Sequence, residues 1–168
     1  MELGSGCGTV GIAAGILGAK QVIMTDLPYT MKIMEHNINS NKERIDESHC
    51  TKIECIACDW FDPPHISTFD FAIDGDVNDV YPDVVLIADC VWLDELVNPL
   101  FQTINKYIST ATSSPKTEVI ITYQRRGNAT HQSFLSNLHK SFSLVNELSI
   151  PDHRLQYPEN LFIYSCQK

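Results

Sequence analysis

Acidic side chains stand at four places where an apolar run ends or is about to turn: Glu2, Asp26, Asp59 and Asp89. A tryptophan accompanies two of them, in Asp59-Trp60 and in Asp89-Cys90-Val91-Trp92. A carboxylate so placed accepts hydrogen bonds from a hydroxyl or an exocyclic amine, and a flat ring can stack on a heterocycle. Directly after Glu2 and Leu3 comes Gly4-Ser5-Gly6-Cys7-Gly8-Thr9-Val10-Gly11. Glycines at alternate positions let a backbone turn tightly and approach a ligand that any Cβ would push away. Where such a turn feeds a helix, N–H groups and the positive end of the helix dipole face an anionic or polar molecule. These residue types together suit a nucleoside-like small molecule.

The elements that must position these residues alternate along the chain. Residues 21–25 form a short apolar run ending at Asp26, and residues 52–58 a strand ending at Asp59. Residues 83–88 contain Val-Val-Leu-Ile-Ala, the strongest strand signal, as expected of a buried central parallel strand. Residues 118–123 predict a further strand, and residues 143–148 and 161–167 a closing pair. Val10, Ile12, Ala13, Ala14, Ile16 and Leu17 read as a helix packed on a sheet behind the glycine run. Helical spacing recurs over residues 29–41, 93–109 and 131–141, the last with Phe134, Leu135 and Leu138 inward. Pro99 falls early in its helix, where a missing N–H does least harm. Residues 110–117 read as a polar loop.

Strands alternating with helices predict an α/β fold, a Rossmann-like, doubly wound, mostly parallel sheet. No helix separates the last two strands, so residues 149–160 must join antiparallel neighbours at the C-terminal edge. The first strand is largely missing, since only Met1, Glu2 and Leu3 precede the glycine turn. Open parallel sheets bind ligands beyond the carboxyl ends of their strands, which is where these acids fall.

A net charge of -9 over 168 residues argues against a partner held by its phosphate backbone, and so against nucleic acid. It suits a small ligand or a basic peptide. No stretch has the length of a membrane span, and no charged-then-apolar leader opens the chain. The six cysteines lack a disulfide framework, which reads as reduced, intracellular thiol. Asn128-Ala129-Thr130 matches a glycosylation sequon that an intracellular protein does not use.

Several other signals fail on chemistry. Cys55 and Cys58 have zinc-like spacing, but in a strand residues three apart face opposite sides, and no second pair accompanies them. Residues 74–78 begin like a calcium loop, yet Asp79 stands where a glycine belongs and Val85 where the bidentate acid belongs. No metal is therefore expected. The glycine run lacks the lysine of a P-loop, and no histidine pairs with a nucleophile.

Two cofactors fit the glycine run. Gly6-Cys7-Gly8-Thr9-Val10-Gly11 is formally the dinucleotide fingerprint with Asp26 at ribose distance, so an NAD-dependent oxidoreductase is one reading. Against it, Glu2 leads into the turn and would repel a pyrophosphate. A nucleoside carrying an ammonium and no phosphate, S-adenosylmethionine, meets both conditions.

Residues 2–12 resemble motif I of the seven-β-strand methyltransferases, and most closely the lysine methyltransferase family 16 group. The similarity continues through Thr25-Asp26-Leu27-Pro28, Asp59-Trp60, Ala88-Asp89-Cys90-Val91-Trp92 and Thr122-Tyr123-Gln124-Arg125-Arg126. The resemblance implies that Glu2 with Gly4, Ser5, Gly6 and Gly8 holds the methionine part of the cofactor. It gives Asp26, with Leu27, the ribose hydroxyls, and gives Asp59 and Trp60 the adenine, with Ala88 also at the cofactor. Asp89 opens the family's Asp-x-x-Tyr motif, associated with the substrate amine. Trp92 stands where that tyrosine is expected, keeping a ring that can wall a lysine channel but losing the hydroxyl.

The resemblance implies a protein-lysine N-methyltransferase, residues 1–168 forming its S-adenosylmethionine-dependent domain without the elements that precede motif I in the family. A monomer in the cytoplasm or nucleus, acting on a protein through a basic, lysine-bearing segment, is the accompanying expectation. Asp89 is expected to position the amine and not to act as a strong base. Loss of the N-terminal elements leaves a second possibility, an impaired form that serves as an interaction module.

Overall fold

The strand that ends at Asp26 is apolar on both sides because both sides are covered. In the computed structural model, which describes residues 1–50, 52–71, 81–108, 116–149, 158 and 160–168, Val22, Ile23, Met24 and Thr25 of β2 (Gln21–Asp26) are all buried. The chain forms two compact units, Met1–Pro82 and Asp83–Lys168. In the first, β2 lies between β1 (Glu2–Leu3) and β3 (Lys52–Ala57), parallel to both. Leu3 pairs with Thr25 and Asp26 with Ala57, so the ends of all three strands lie side by side.

The helices of this unit are α1 (Thr9–Ile16), α2 (Met31–Ser40) and the short α3 (Lys42–Asp46). Its core gathers Ile12, Val22, Met24, Met34 and Ile45. The sequence predicts that α1 packs through its apolar side chains, and part of the set does: Ile12 is in this core and Ala14 and Ile16 pack against it. The buried residues of α1 are Gly11, Ile12 and Gly15, while Val10, Ala13 and Leu17 are exposed. A Cβ on Gly11 would stand 2.5 Å from Met24 Cγ and Sδ and 2.7 Å from a Glu2 carboxylate oxygen. Gly11 and Gly15 bring the helix close to β2, and Ile12 packs beside them against Val22 and Met24. The helix expected from Tyr29 begins instead as a 3-10 turn, Pro28–Thr30, before α2, because Pro28 starts the turn with its fixed φ.

The second unit has its strands in the order β4 (Val84–Ala88), β5 (Glu118–Gln124), β7 (Leu161–Gln167), β6 (Leu144–Glu147). β4 and β5 are parallel, and β7 runs antiparallel to both β5 and β6, as the missing connecting helix requires. β4 was the strand expected to be covered on both sides. Val85 and Ile87 are buried, but Val84, Leu86 and Ala88 on the other face are half-buried.

Two helices, α4 (Asp94–Tyr107) and α5 (Asn128–Ser141), pack together through Phe101 and Phe134, whose ring centroids lie 5.6 Å apart. Pro99 is the sixth residue of α4, beyond the first turn, so the Glu95 carbonyl loses its helical partner there. Parallel strands alternating with helices, closed by the antiparallel β7, give the Rossmann-like organisation the sequence predicts. Residues 74–78, most of the polar loop at 110–117 and most of the connection at 149–160 lie outside the described residues.

Candidate functional site

At the carboxyl ends of the first unit's strands, the backbone of the glycine run is bent into a fixed shape. Gly4, Gly6 and Gly8 have φ of 70°, 56° and 83°, a region that side chains disfavour. Their conformation is tied to β2 by hydrogen bonds. Ser5 N–H donates to the Thr25 carbonyl at 3.0 Å, and Thr25 N–H donates back to Ser5 Oγ at 3.1 Å. Thr25 Oγ1 donates to the Glu2 carbonyl at 2.8 Å. Asn37 of α2 reaches the Cys7 carbonyl at 2.8 Å.

Asp26 closes the frame. One of its oxygens accepts from Gly6 N–H at 2.7 Å and the other from Leu27 N–H at 2.7 Å. Each carboxylate oxygen has a second lone pair, so the group can still accept from a ligand hydroxyl. A Cβ on Gly6 would meet nothing within 4 Å, which leaves open space over the turn, whereas a Cβ on Gly8 would stand 3.1 Å from Met24 Sδ. An open backbone cradle beside a half-satisfied carboxylate suits a ligand that carries a diol.

Glu2 lies beneath the glycine turn, with partners of its own. It is only 2% exposed, and its carboxylate accepts from Gly11 N–H at 2.9 Å. Burial pushes its carboxyl up to about 6, against hydrogen bonds from the Ser5 side chain and the Gly11 backbone that pull it down. In this arrangement Glu2 and Ser5 brace the turn against α1. Asp59 stands next to Asp26 because Cys58 N–H donates to the Asp26 carbonyl at 2.8 Å. Its carboxylate accepts from Phe61 N–H at 2.9 Å, forming a local turn that leaves Trp60 half-buried and Phe61 exposed. Glu2, Gly4, Ser5, Gly6, Gly8, Asp26, Leu27, Asp59 and Trp60 thus gather at one end of the first unit's strands.

The second unit carries the remaining candidates. Ala88 is the last residue of β4, and Asp89 N–H extends the ladder by donating to the Thr122 carbonyl at 2.9 Å. Asp89 then turns with φ of 54°, the one non-glycine residue with positive φ among those described. Its carboxylate pairs with the Arg126 guanidinium, both side chains about half exposed. Trp92 is 54% exposed.

Arg126 belongs to the similarity at residues 122–126, but its sequence position assigns it no role. A pairing across 37 positions leaves no local sequence signal. Below the site, Tyr123 Oη lies 2.7 Å from His131 Nδ1 and the two rings stack at 5.7 Å. Among the described residues no three His, Cys, Asp or Glu side chains gather as a metal cage, and no helix is long and apolar enough to cross a membrane. All six cysteines are free thiols.

A family model for lysine methyltransferases matches residues 1–141. The protein N-lysine methyltransferase METTL21A of Danio rerio is 28% identical over 148 residues, 86% of this chain and 57% of that protein. The protein-lysine N-methyltransferase EFM6 of Saccharomyces cerevisiae is 26% identical over 171 residues, 96% of this chain and 64% of that protein. The protein-lysine N-methyltransferase rrg1 of Schizosaccharomyces pombe is 41% identical over 64 residues, 38% of this chain and 21% of that protein. The chain therefore spans less than two thirds of the length of these relatives.

Among solved structures, a SAM-dependent methyltransferase from Methanosarcina mazei aligns with a TM-score of 0.63 at 10% identity, covering 99% of this chain and 90% of that one. Precorrin-6y C5,15-methyltransferase from Geobacter metallireducens aligns with a TM-score of 0.61 at 11% identity, covering 99% of this chain and 76% of that one. At these identities the likeness is one of fold.

Proposed function

We propose that this chain, which belongs to the lysine methyltransferase family, binds S-adenosylmethionine at its glycine turn and methylates a lysine of another protein. The observation that carries the cofactor half is the Asp26 frame. A backbone cradle, open over Gly6 and pinned by the Gly6 N–H to Asp26 bond of 2.7 Å, is organised before any ligand arrives. Asp26 has acceptor capacity left for ribose hydroxyls, and Trp60 beside Asp59 offers a ring and a carboxylate for adenine. Family membership favours this reading over hydride transfer with NAD.

When bound, S-adenosylmethionine supplies a sulfonium methyl that is already electrophilic, so the protein needs no strong acid or base. What remains is to present an unprotonated amine in line with that methyl. The glycine turn, Asp26, Asp59 and Trp60 would hold that cofactor, which would supply the methyl, and the substrate amine would give up its proton to solvent. Asp89 accepts an N–H of the amine and fixes its direction, while the exposed ring of Trp92 lines the approach of the lysine stem.

The acidic chain, with net charge -9, gathers a basic segment of a protein partner. A monomer working in the cytoplasm or nucleus completes the reading. Calorimetry should show S-adenosylhomocysteine binding more tightly than NADH; the reverse order removes the proposal. Tritiated methyl donor added to cell lysate should then label a discrete protein band. Cofactor binding with label only in small molecules would discard the protein substrate.

A further inference from the structure

Among the described residues of the second unit, Arg126 is the one whose side chain meets the Asp89 carboxylate, and the proposed function gives it no work. It follows directly on Arg125, yet the two arginines face different partners. Arg125 acts on Tyr123 and His131 through its charge, and its N–H donates to the Asn160 carbonyl at 2.8 Å. Arg126 turns to Asp89. The carboxylate it meets sits on a residue held at φ 54°, a conformation that persists where surrounding structure enforces it. Here the enforcement comes from the Asp89 N–H to Thr122 bond of 2.9 Å on one side and the guanidinium on the other. The pair leaves Asp89 about half exposed, so the carboxylate is both compensated and reachable.

We propose that Arg126 is a positioning residue that cancels the charge of Asp89, so that this position receives a neutral amine instead of trapping an ammonium ion. The inference rests on the reading of Asp89 as the acceptor for a substrate amine. A bare carboxylate favours the protonated form of a neighbouring amine, and an ammonium has no lone pair with which to attack a methyl group. A carboxylate already paired with guanidinium still accepts an N–H through its second oxygen, since the guanidinium meets only one. It orients the amine without stabilising its charge. Arg suits this task because its guanidinium keeps its own proton at any working pH.

The test uses n-butylammonium, a stand-in for the lysine side chain that carries no other recognition element. It is titrated into the chain at low ionic strength and neutral pH, followed by the amide shifts of Asp89 and Cys90. Arg126→Ala should bind it about threefold or more tightly than the natural chain, as an uncovered surface carboxylate should. Arg126→Lys should keep the natural affinity, and Asp89→Asn added to Arg126→Ala should erase the gain. Equal or weaker binding by Arg126→Ala overturns the inference, as does an Arg126→Lys variant that behaves like alanine. If methyl transfer to protein is found while amine affinity ignores Arg126, this inference alone falls. If no protein is ever methylated but the amine affinities follow the prediction, the charge compensation stands and the transferase reading falls.

Discussion

The carboxylate that ends β2 and the carboxylate that follows β4 are held in different ways. Asp26 is bonded by two backbone N–H groups, of Gly6 and Leu27, each at 2.7 Å. Asp89 is bonded through its side chain by another side chain, the Arg126 guanidinium. Backbone donors cannot leave without unfolding the turn, whereas an exposed guanidinium can exchange partners at little cost. The first unit therefore offers a preformed cradle and the second an adjustable contact. That division fits the proposed function, in which a small cofactor is constant and a protein substrate docks and departs.

The largest break in this comparison is expected from Gly11→Ala. The new Cβ would meet Met24 at 2.5 Å and the Glu2 carboxylate at 2.7 Å, beneath the turn that the cradle depends on. Crowding of this kind destabilises by roughly 1–3 kcal/mol, and Met24 and Glu2 are both buried, so the upper end applies. Thermal unfolding should show the loss, and calorimetry should show S-adenosylhomocysteine binding abolished. A stable, ligand-binding Gly11→Ala chain would mean α1 can slide away from β2.

Next come the two carboxylates themselves. Asp26→Ala removes charge-assisted bonds to two backbone donors and should cost about 2 kcal/mol of stability and more than tenfold in S-adenosylhomocysteine affinity. Asp89→Ala should change both by little and remove methyl transfer. If the two variants had the same effects, the contrast between cradle and contact would be wrong.

Part of this was legible in the sequence because strand ends announce themselves. Strand candidates stopping at an aspartate predict β2, β3 and β4 to within about a residue, and the glycine run predicts the turn. What was not legible depends on contacts between distant residues. Gly11, read in the sequence as part of a flexible turn, and Gly15, four residues on, form a contact surface of α1. Val10 and Leu17, expected to pack on the sheet, are exposed, because the buried face of α1 is made by Gly11, Ile12 and Gly15. Only the fold shows that Gly11 N–H and Ser5 bond the Glu2 carboxylate. Arg126 carried no local pattern at all. Its role comes from φ at Asp89 and the neighbouring strand, neither of which a linear pattern encodes.

Acid should separate the two units in opposite directions. Burial raises the Glu2 carboxyl from 4.5 to about 6, so the folded chain holds a proton there that the unfolded chain has already released. Its contribution is full below about pH 4.5 and declines as pH rises through about 6, a loss on the order of 2 kcal/mol. Glu2→Gln keeps an acceptor for Gly11 N–H and should flatten that decline in urea unfolding measured across this range.

His131 works the other way, and more weakly. Burial first, and then the charge of Arg125, lower its pKa beneath the usual 6.5, so the unfolded chain takes up its proton sooner as pH falls. The region around the Tyr123–His131 bond should therefore be firmest above pH 6.5 and loosen on acidification. Hydrogen exchange at the two pH extremes would read both effects in one sample. Amides of β1 and α1 should gain protection in acid while those of β5 and α5 lose it. His131→Asn should abolish the second change and leave the first. Loss of protection in both units on acidification would show that global repulsion, and not these two groups, governs the pH response.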